Sequence, residues 1–202
     1  AKIHLSNYNP KNVKLEIIDE WILIKLKETI KTCTESFETY EYSKAKAAID
    51  LFFWKDFCDN YLEFVKYRLY SEGMNKEKES ALFTLYNCLL AIIKLFAPIM
   101  PYVTEELYQD IFSAIEKDKS IHISKWPSVT VKIDPNSEKV GGELVRIASL
   151  VRQEKTKISK SLKEPVKLLK LDSKLLRVVE KDLKAVTQAE KIEYGKELKI
   201  EF

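Results

Sequence analysis

Residues that could perform chemistry are few in this 202-residue sequence. Its two histidines, His4 and His122, do not lie near a cysteine, serine or carboxylate cluster with the spacing of a catalytic triad or a metal site. Three acids, Asp56, Asp59 and Glu63, recur at helical spacing, as a pair of carboxylates for proton transfer could. We interpret them as surface acids, because their basic partners lie about one turn away: Lys55, Lys66 and Arg68. The sequence therefore predicts no catalytic site and no metal site.

The three cysteines, Cys33, Cys58 and Cys88, lie 25 and 30 residues apart among apolar neighbours. An odd number at this spacing fits neither a disulfide framework nor a zinc site, so we expect reduced thiols in the core of a cytoplasmic protein. The N-terminus lacks the apolar stretch of a signal peptide, and no apolar run approaches the ~18 residues of a membrane span. The first residue is Ala rather than Met, which suggests a fragment.

Positive charge is concentrated near the C-terminus. Residues 1–137 carry 18 Lys and Arg against 20 Asp and Glu, whereas residues 138–202 carry 16 against 11. Residues 138–162 are predicted to form an amphipathic helix with a basic face in water, which could bind phosphates by charge and counterion release. The alternative is a surface that lysines merely keep soluble. The candidate residues for binding an RNA backbone are Arg146, Arg152, Lys155, Lys157, Lys160 and Lys163.

Long helices are favoured by a composition of only 4 Gly and 6 Pro with 46% hydrophobic residues. Apolar residues at three- and four-residue steps predict four helices, with a turn at Gly73 between the second and the third. Their approximate ranges are 12–37, 43–70, 76–97 and 101–115. Ser43 is the expected N-cap of the second helix, which we expect to be central and surrounded. The aromatic residues of the first two helices are assigned mostly to packing: Trp21, Phe53, Trp54 and Phe57.

The pattern changes after the four helices. Residues 120–127 predict an extended segment laid across the bundle, and residues 138–162 predict the basic helix. The remaining chain alternates between strand and helix periods. It predicts a strand at 166–171, a helix at 175–186, and two strands at 191–194 and 198–202 around a turn at Gly195.

Residues 157–161, Lys-Ile-Ser-Lys-Ser, are similar in four of five positions to the Lys-Met-Ser-Lys-Ser signature with which class I aminoacyl-tRNA synthetases stabilise ATP phosphates. That signature belongs to a mobile loop beside a nucleotide-binding sheet. Here the five residues are predicted to continue the helix at 138–162, and no Gly-rich turn or His-x-Gly-His element occurs in the sequence. We interpret the match as coincidental.

The most distinctive run is residues 52–63, Phe-Phe-Trp-Lys-Asp-Phe-Cys-Asp-Asn-Tyr-Leu-Glu. Supporting runs follow the same order along the chain, at residues 19–23, 84–86, 97–109 and 120–127. Together they resemble the anticodon-binding domain of valyl-tRNA synthetases, which belong to class Ia, over most of residues 15–127. The run at 97–109 is also similar to the isoleucyl and leucyl branches, whereas the run at 52–63 favours the valyl branch.

The resemblance implies a mainly α fold, a helical bundle of the class Ia anticodon-binding type with a small C-terminal α+β appendage. Residues 1–130 would be the anticodon-binding bundle, with the first helix of the family largely missing. Residues 131–202 would hold the basic helix and a small α+β subdomain.

The implied function is to position valine tRNA for ATP-dependent aminoacylation by an N-terminal catalytic domain that this sequence lacks. The resemblance thus implies a non-catalytic piece of a cytoplasmic valine-tRNA ligase. Its partners would be tRNA and the remaining domains of the synthetase, without a membrane or a metal. ATP and magnesium would serve the parent enzyme, and no cofactor is expected in this region. No anticodon-reading residue is assigned.

Three alternatives remain. The first is the equivalent domain of an isoleucyl- or leucyl-tRNA synthetase. The second is a non-catalytic helical module for protein partners, which would show a large exposed apolar patch and no salt-sensitive RNA affinity. The third is a catalytic class I core, which would bind ATP.

Overall fold

The computed structural model describes residues 13–202, so the prediction for His4 lies outside the described residues. The first helix, predicted over 12–37, begins later than expected, at Ile17. Helices dominate the structure, and three short strands lie near the C-terminus. The α-helices are α1 (Ile17–Glu38), α2 (Tyr42–Leu51), α3 (Leu62–Leu69), α4 (Lys76–Phe96), α5 (Pro101–Ile111), α6 (Ser113–Glu116), α7 (Asn136–Lys157) and α8 (Glu180–Thr187). A π-helix (Phe52–Tyr61) joins α2 to α3, and 3-10 turns occupy Ile121–Ile123 and Leu175–Val179. The mainly α fold with a small appendage is confirmed.

The helix boundaries follow local signals in most places. Gly73 has φ +69° in the turn before α4, as predicted, and the Asn75 side chain caps α4 by accepting from the backbone N–H of Lys78 at 2.8 Å. Pro101 opens α5 at a position where its missing N–H costs nothing. The prediction that Ser43 caps the second helix is wrong. Glu41 precedes that helix and makes no side-chain cap bond.

The second predicted helix is continuous from α2 through the π-helix to α3, but its middle differs from expectation. In a π-helix each N–H bonds five residues back, so Phe52, Phe57 and Tyr61 fall on one face. Their rings stack in the core, with centroid separations of 6.4 and 5.8 Å between successive rings. Trp54 lies on the other face and is 61% exposed. The predictions that this helix is surrounded and that Trp54 packs in the core are therefore wrong.

Helix α1 is the centre of the core and packs against α2, α4 and α7. Close approach of α7 depends on Gly141, where an added Cβ would lie 2.1 Å from Cγ of the buried Trp21. By length and composition alone, helix α4 could cross a membrane. However, 72% of its most apolar 18-residue stretch is buried inside the structure. Such burial is typical of a core helix in a soluble protein.

The C-terminal strands form one small sheet in the order β2-β1-β3, with β1 at Val166–Leu171, β2 at Ala189–Tyr194 and β3 at Lys199–Glu201. β1 pairs parallel to β2 and antiparallel to β3. Strands were predicted at these positions. The two strands around Gly195 do not pair with each other, because both use β1 as their partner.

A buried ion cluster joins the appendage to the bundle. Arg68 on α3 donates to Asp19 on α1 at 3.1 Å and to both carboxylate oxygens of Asp182 on α8 at 2.5 and 2.6 Å. Asp19 also accepts hydrogen bonds from Tyr61 and Ser80. Burial raises the pKa of Asp19 to about 6, although Arg68 and the two hydroxyls act to lower it. The expectation that Arg68 pairs with surface acids is wrong, since its helix face points to the core.

Removing one acid from this cluster tests whether it holds the appendage. Asp182→Ala is expected to lower the free energy of unfolding by about 3–5 kcal/mol, because Arg68 would stay buried with only one carboxylate. Urea titration followed by circular dichroism measures the change. The matched control is Glu77→Ala, which breaks the exposed ion pair of Glu77 with Lys181 between α4 and α8. The control should cost far less, since exposed pairs are screened by water. Equal losses would contradict the role given to the cluster.

Candidate nucleic-acid interface

Helix α7 ends at Lys157, five residues before the predicted end at residue 162. The N–H of Ser159 donates to the carbonyl of Thr156, and the N–H of Lys160 donates to the carbonyl of Lys155. Ser159 has φ +56°, so the three residues after the helix form a Schellman termination. Glycine usually occupies this left-handed position, so the serine found here does not mark a helix end in the sequence. The prediction that residues 157–161 continue the helix is wrong, because they straddle its end and the following turn.

Lys155 is not on a solvated face, contrary to expectation. It is 1% exposed, and its ammonium donates to the carbonyls of Leu162, Glu164 and Thr187 at 3.0, 2.7 and 3.1 Å. Thr187 is the last residue of α8, where the helix dipole favours a cation. Burial lowers the pKa of Lys155. This lysine therefore ties the chain after α7 to the C-terminal end of α8.

A groove of about 950 Å³ lies between α3, α7, α8 and the chain that follows α7. It brings together three of the six predicted basic residues, Arg152, Lys155 and Lys163, and adds Lys66 and Tyr70 from α3 and its C-cap. Its other lining residues are Cys58, Asp59, Glu63, Tyr67, Val151, Leu162, Ala185, Val186 and Gln188. The groove thus combines basic side chains with the exposed aromatic ring of Tyr70.

Arg152 is fixed in the groove wall by the end of the π-helix. Its guanidinium donates to Oδ1 of Asn60 at 3.2 Å and to the carbonyl of Asp59 at 3.1 Å. Asn60 is itself held, because its side-chain amide donates to the carbonyl of Lys55 at 2.8 Å. Neither acceptor is a carboxylate, so these hydrogen bonds do not neutralise the positive charge of Arg152. A rigid cation of this kind is suited to a phosphate.

Two further groove cations, Lys66 and Lys163, are more exposed than Arg152. Lys66 lies 3.3 Å from Glu63 on the same helix, an exposed pair that a stronger anion can replace. Lys163 is exposed, and within residues 13–202 its ammonium has no ion-pair partner. Lys163 is therefore the most available positive charge in the groove.

The remaining predicted cations lie outside the groove lining and are paired with acids. Arg146 forms two hydrogen bonds with Glu143, at 2.8 and 2.7 Å. Lys157 pairs with Glu154 at 2.6 Å. Lys160 lies past the helix end, 3.6 Å from Glu164 and 5.3 Å from the centre of the Phe202 ring. The six predicted residues therefore do not form one basic face. Arg152, Lys155 and Lys163 line the groove, whereas Arg146, Lys157 and Lys160 lie outside it and face acids.

Sequence reasoning missed Lys66 and Tyr70 as partners of this site. They lie four residues apart at the end of one helix, so the sequence could have placed them on a shared face. Nothing local connects them to Arg152, which is more than 80 residues away along the chain.

The cysteines and His122 do not form a chemical site with each other. Cys33, Cys58 and Cys88 are free thiols; Cys33 and Cys88 lie in the core as predicted, whereas Cys58 is only half-buried, at the groove. Burial raises the pKa of Cys33 to about 11. His122 lies beside the Pro101 carbonyl at 3.2 Å, away from the groove. In the part of the chain that the structure describes, no group of three His, Cys, Asp or Glu residues could hold a metal ion.

Comparisons with known proteins agree on one family. Residues 19–170 match the family model described as the anticodon-binding domain of tRNA ligase. The chain is 41% identical to a valine–tRNA ligase of Ehrlichia canis over 89% of its length and 40% identical to one of Wolbachia pipientis over 89%. It is 34% identical to a valine–tRNA ligase of Thermococcus kodakarensis over 96%. The chain spans about a fifth of the length of these relatives, 22%, 21% and 22% respectively.

Lys155→Met tests the buried ammonium while keeping the aliphatic stem. We expect a loss of about 2 kcal/mol in unfolding free energy, because three backbone carbonyls, that of Thr187 buried and the other two partly buried, lose their donor. Hydrogen exchange should also accelerate in residues 158–165. Lys157→Met is the control, since its ammonium is exposed, and it should change stability by less than about 0.5 kcal/mol. Unchanged exchange at residues 158–165 in Lys155→Met would contradict this assignment.

Proposed function

The chain belongs to the anticodon-binding domain family of tRNA ligases, and from this premise we propose that it is the tRNA-binding region of a valine-tRNA ligase. The observation that carries the proposal is identity near 40% to valine–tRNA ligases over about nine-tenths of the chain. The distinctive run at residues 52–63 supports the same choice over the isoleucyl and leucyl branches. It forms the π-helix and the start of α3, which bound the groove.

In this proposal the groove receives the tRNA backbone. Lys163 and Arg152 bind phosphate groups, and Lys66 exchanges its surface partner Glu63 for a phosphate. Each such contact releases counterions, so binding weakens as salt concentration rises. Tyr70 offers a ring on which an unpaired base stacks, as is usual where proteins bind RNA loops. Arg146, Lys157 and Lys160 contribute less, because none of them lines the groove.

We propose further that this region binds tRNA and leaves aminoacylation to the rest of a cytoplasmic ligase, which uses ATP and magnesium. The two lysines of residues 157–161 support this division. Lys157 is the last residue of α7 and Lys160 lies in the turn that ends it, whereas the phosphate-binding signature belongs to a mobile loop beside a nucleotide-binding sheet. The bound valine tRNA would then be presented to a catalytic domain elsewhere in the polypeptide.

An RNA titration tests the proposal. Fluorescence anisotropy with labelled valine tRNA, isoleucine tRNA and a valine tRNA with altered anticodon bases, across a salt series, should show a preference for unaltered valine tRNA. Lys163→Ala should reduce the slope of log Kd against log salt concentration by about 1, because one phosphate contact is lost.

The matched control for that titration is Lys44→Ala. Lys44 lies on α2, near the opposite end of the continuous helix from the groove, and should leave the slope unchanged. No binding to any of the three RNAs at low salt would overturn the proposed function. Equal effects of Lys44→Ala and Lys163→Ala would overturn the placement of the RNA in the groove.

A thermal melt tests the assignment of catalysis to other domains. ATP with magnesium at millimolar concentration should leave the melting temperature unchanged, because a ligand raises it only by binding the folded state. Valine tRNA in the same assay should raise it. A rise of several degrees with ATP and magnesium alone would favour a nucleotide site in this region.

A further inference from the structure

The buried ion cluster between α1, α3 and α8 holds more negative than positive charge. Two carboxylates, Asp19 and Asp182, share the single guanidinium of Arg68. None of the three residues is more than 4% exposed. A charge in a protein interior is costly unless an opposite charge balances it, so the second carboxylate is an unbalanced buried anion. The cluster is therefore one proton short of neutrality.

The other groups that face Asp19 supply hydrogen bonds but no positive charge. Tyr61 of the π-helix donates its hydroxyl at 2.7 Å, and Ser80 of α4 donates its hydroxyl at 2.5 Å. Burial raises the pKa of Tyr61 and that of the nearby Cys88 thiol well above their usual values, so both groups stay neutral. Within the described part of the chain, Arg68 is the cation that contacts Asp19.

The charges on the α8 side of the cluster are balanced among themselves. The Asp182 carboxylate accepts from the hydroxyl of Tyr67 at 2.9 Å, in addition to its bonds with the guanidinium. Lys181, the preceding residue, is exposed and pairs with Glu77 of α4 at 2.6 Å. Glu16, just before α1, also attracts that lysine. Lys181 therefore does not neutralise the buried carboxylates.

Helix α7 packs against a different side of α1. There Glu20 accepts from the hydroxyl of Ser137, and Lys25 pairs with Glu138 at 2.8 Å. Asp19 instead lies on the side of α1 that faces α3, α4 and α8, as its hydrogen bonds show. The ion pairs between α1 and α7 are thus separate from the cluster.

Docking of α8 creates the charge imbalance. Without Asp182, the guanidinium of Arg68 and the carboxylate of Asp19 form a neutral pair inside the bundle. The approach of α8 adds the second carboxylate, and one proton restores neutrality. Asp19 is the better acceptor for that proton, because it binds the guanidinium once at 3.1 Å, whereas Asp182 binds it twice at 2.5 and 2.6 Å. Burial raises the pKa of both carboxyl groups.

We propose that the cluster is a proton-binding site, in which one proton held on Asp19 tightens the attachment of α8 and the C-terminal sheet to the bundle below neutral pH. The protonated carboxyl keeps its neighbours, since its new O–H can donate to Oγ of Ser80. Because α8 forms one wall of the groove, the same proton steadies that wall. The inference goes beyond the proposed function and holds whether or not the groove binds RNA.

The pH dependence has a definite sign. Asp19 has a pKa of about 6 in the folded chain, above the ordinary value of 3.8. A carboxyl of this kind adds stability as pH falls through its folded pKa, and that stability is lost as pH rises again. Hydrogen bonds and nearby cations lower the pKa of Glu105 and Glu193, so these exposed acids act in the opposite sense. A variant of Asp19 is needed to separate the two effects.

Urea titrations of the 202-residue chain and of Asp19→Asn at pH 7.5 and 5.0 test the proposal. Between these pH values the unfolding equilibrium constant of the unmodified chain should fall about tenfold relative to that of the variant, because only the former takes up the proton. Asparagine keeps the shape of the side chain and an oxygen for the Tyr61 hydroxyl. The matched control is Glu77→Gln, which changes an exposed acid between α4 and α8 and should retain the full pH effect.

Hydrogen exchange locates the effect. After correction for the intrinsic pH dependence of exchange, the opening equilibrium of residues 180–187 should fall by a similar factor in the unmodified chain and stay constant in Asp19→Asn. Asp182→Asn is a second variant, which leaves the neutral pair of Arg68 and Asp19 and should also lose the pH effect.

Two results would overturn the proposal. The same pH dependence of unfolding in the unmodified chain and in both asparagine variants means that the cluster takes up no proton. A pH effect on unfolding without any change in the opening of residues 180–187 means that the proton does not act on the attachment of α8.

Discussion

The buried Arg68 guanidinium is the constraint on which the arrangement of the whole chain depends. It lies between two buried carboxylates, Asp19 of the first helix and Asp182 of the last helix. A buried cation must have its anions close by, because the cost of leaving it unpaired exceeds most single contributions to stability. The position of α8 relative to α1 and α3 is therefore strongly restricted. Because α8 also forms one wall of the groove, the same ion cluster sets the width of the candidate RNA site.

Two helix endings direct side chains to the exposed surface of the molecule. The α1 ending puts Tyr40 in a left-handed conformation, and the α7 ending puts Ser159 in one. Both close with the same pair of backbone hydrogen bonds, and neither uses glycine. The first ending turns the Tyr40 ring to the outside, and the second redirects the chain so that Lys163 reaches the groove. Backbone strain is thus concentrated where the surface is exposed and not in the core.

The six basic candidates between Arg146 and Lys163 have three different roles, which cannot be told apart from the amino-acid composition. Lys155 is buried and holds carbonyls, whereas Arg146, Lys157 and Lys160 face acids at the surface. Only Arg152 and Lys163 remain directed to the groove without a carboxylate partner among the described residues. A net excess of lysine therefore overstates how much of the segment is available to a phosphate backbone.

The sequence by itself determined the helical class, most element ranges, the strands and the family, because apolar periodicity, turn residues and the run at residues 52–63 are local signals. It did not determine the π-helix, which turns Trp54 outward, or the early end of α7, where serine replaces the usual glycine. Only the tertiary structure decided that Lys155 is buried, that Arg68 pairs with Asp19 and Asp182, and that Lys66 and Tyr70 meet Arg152. The physical reason is that burial and charge pairing depend on groups up to 114 residues apart, whose approach is set by packing and not by their neighbours in the chain.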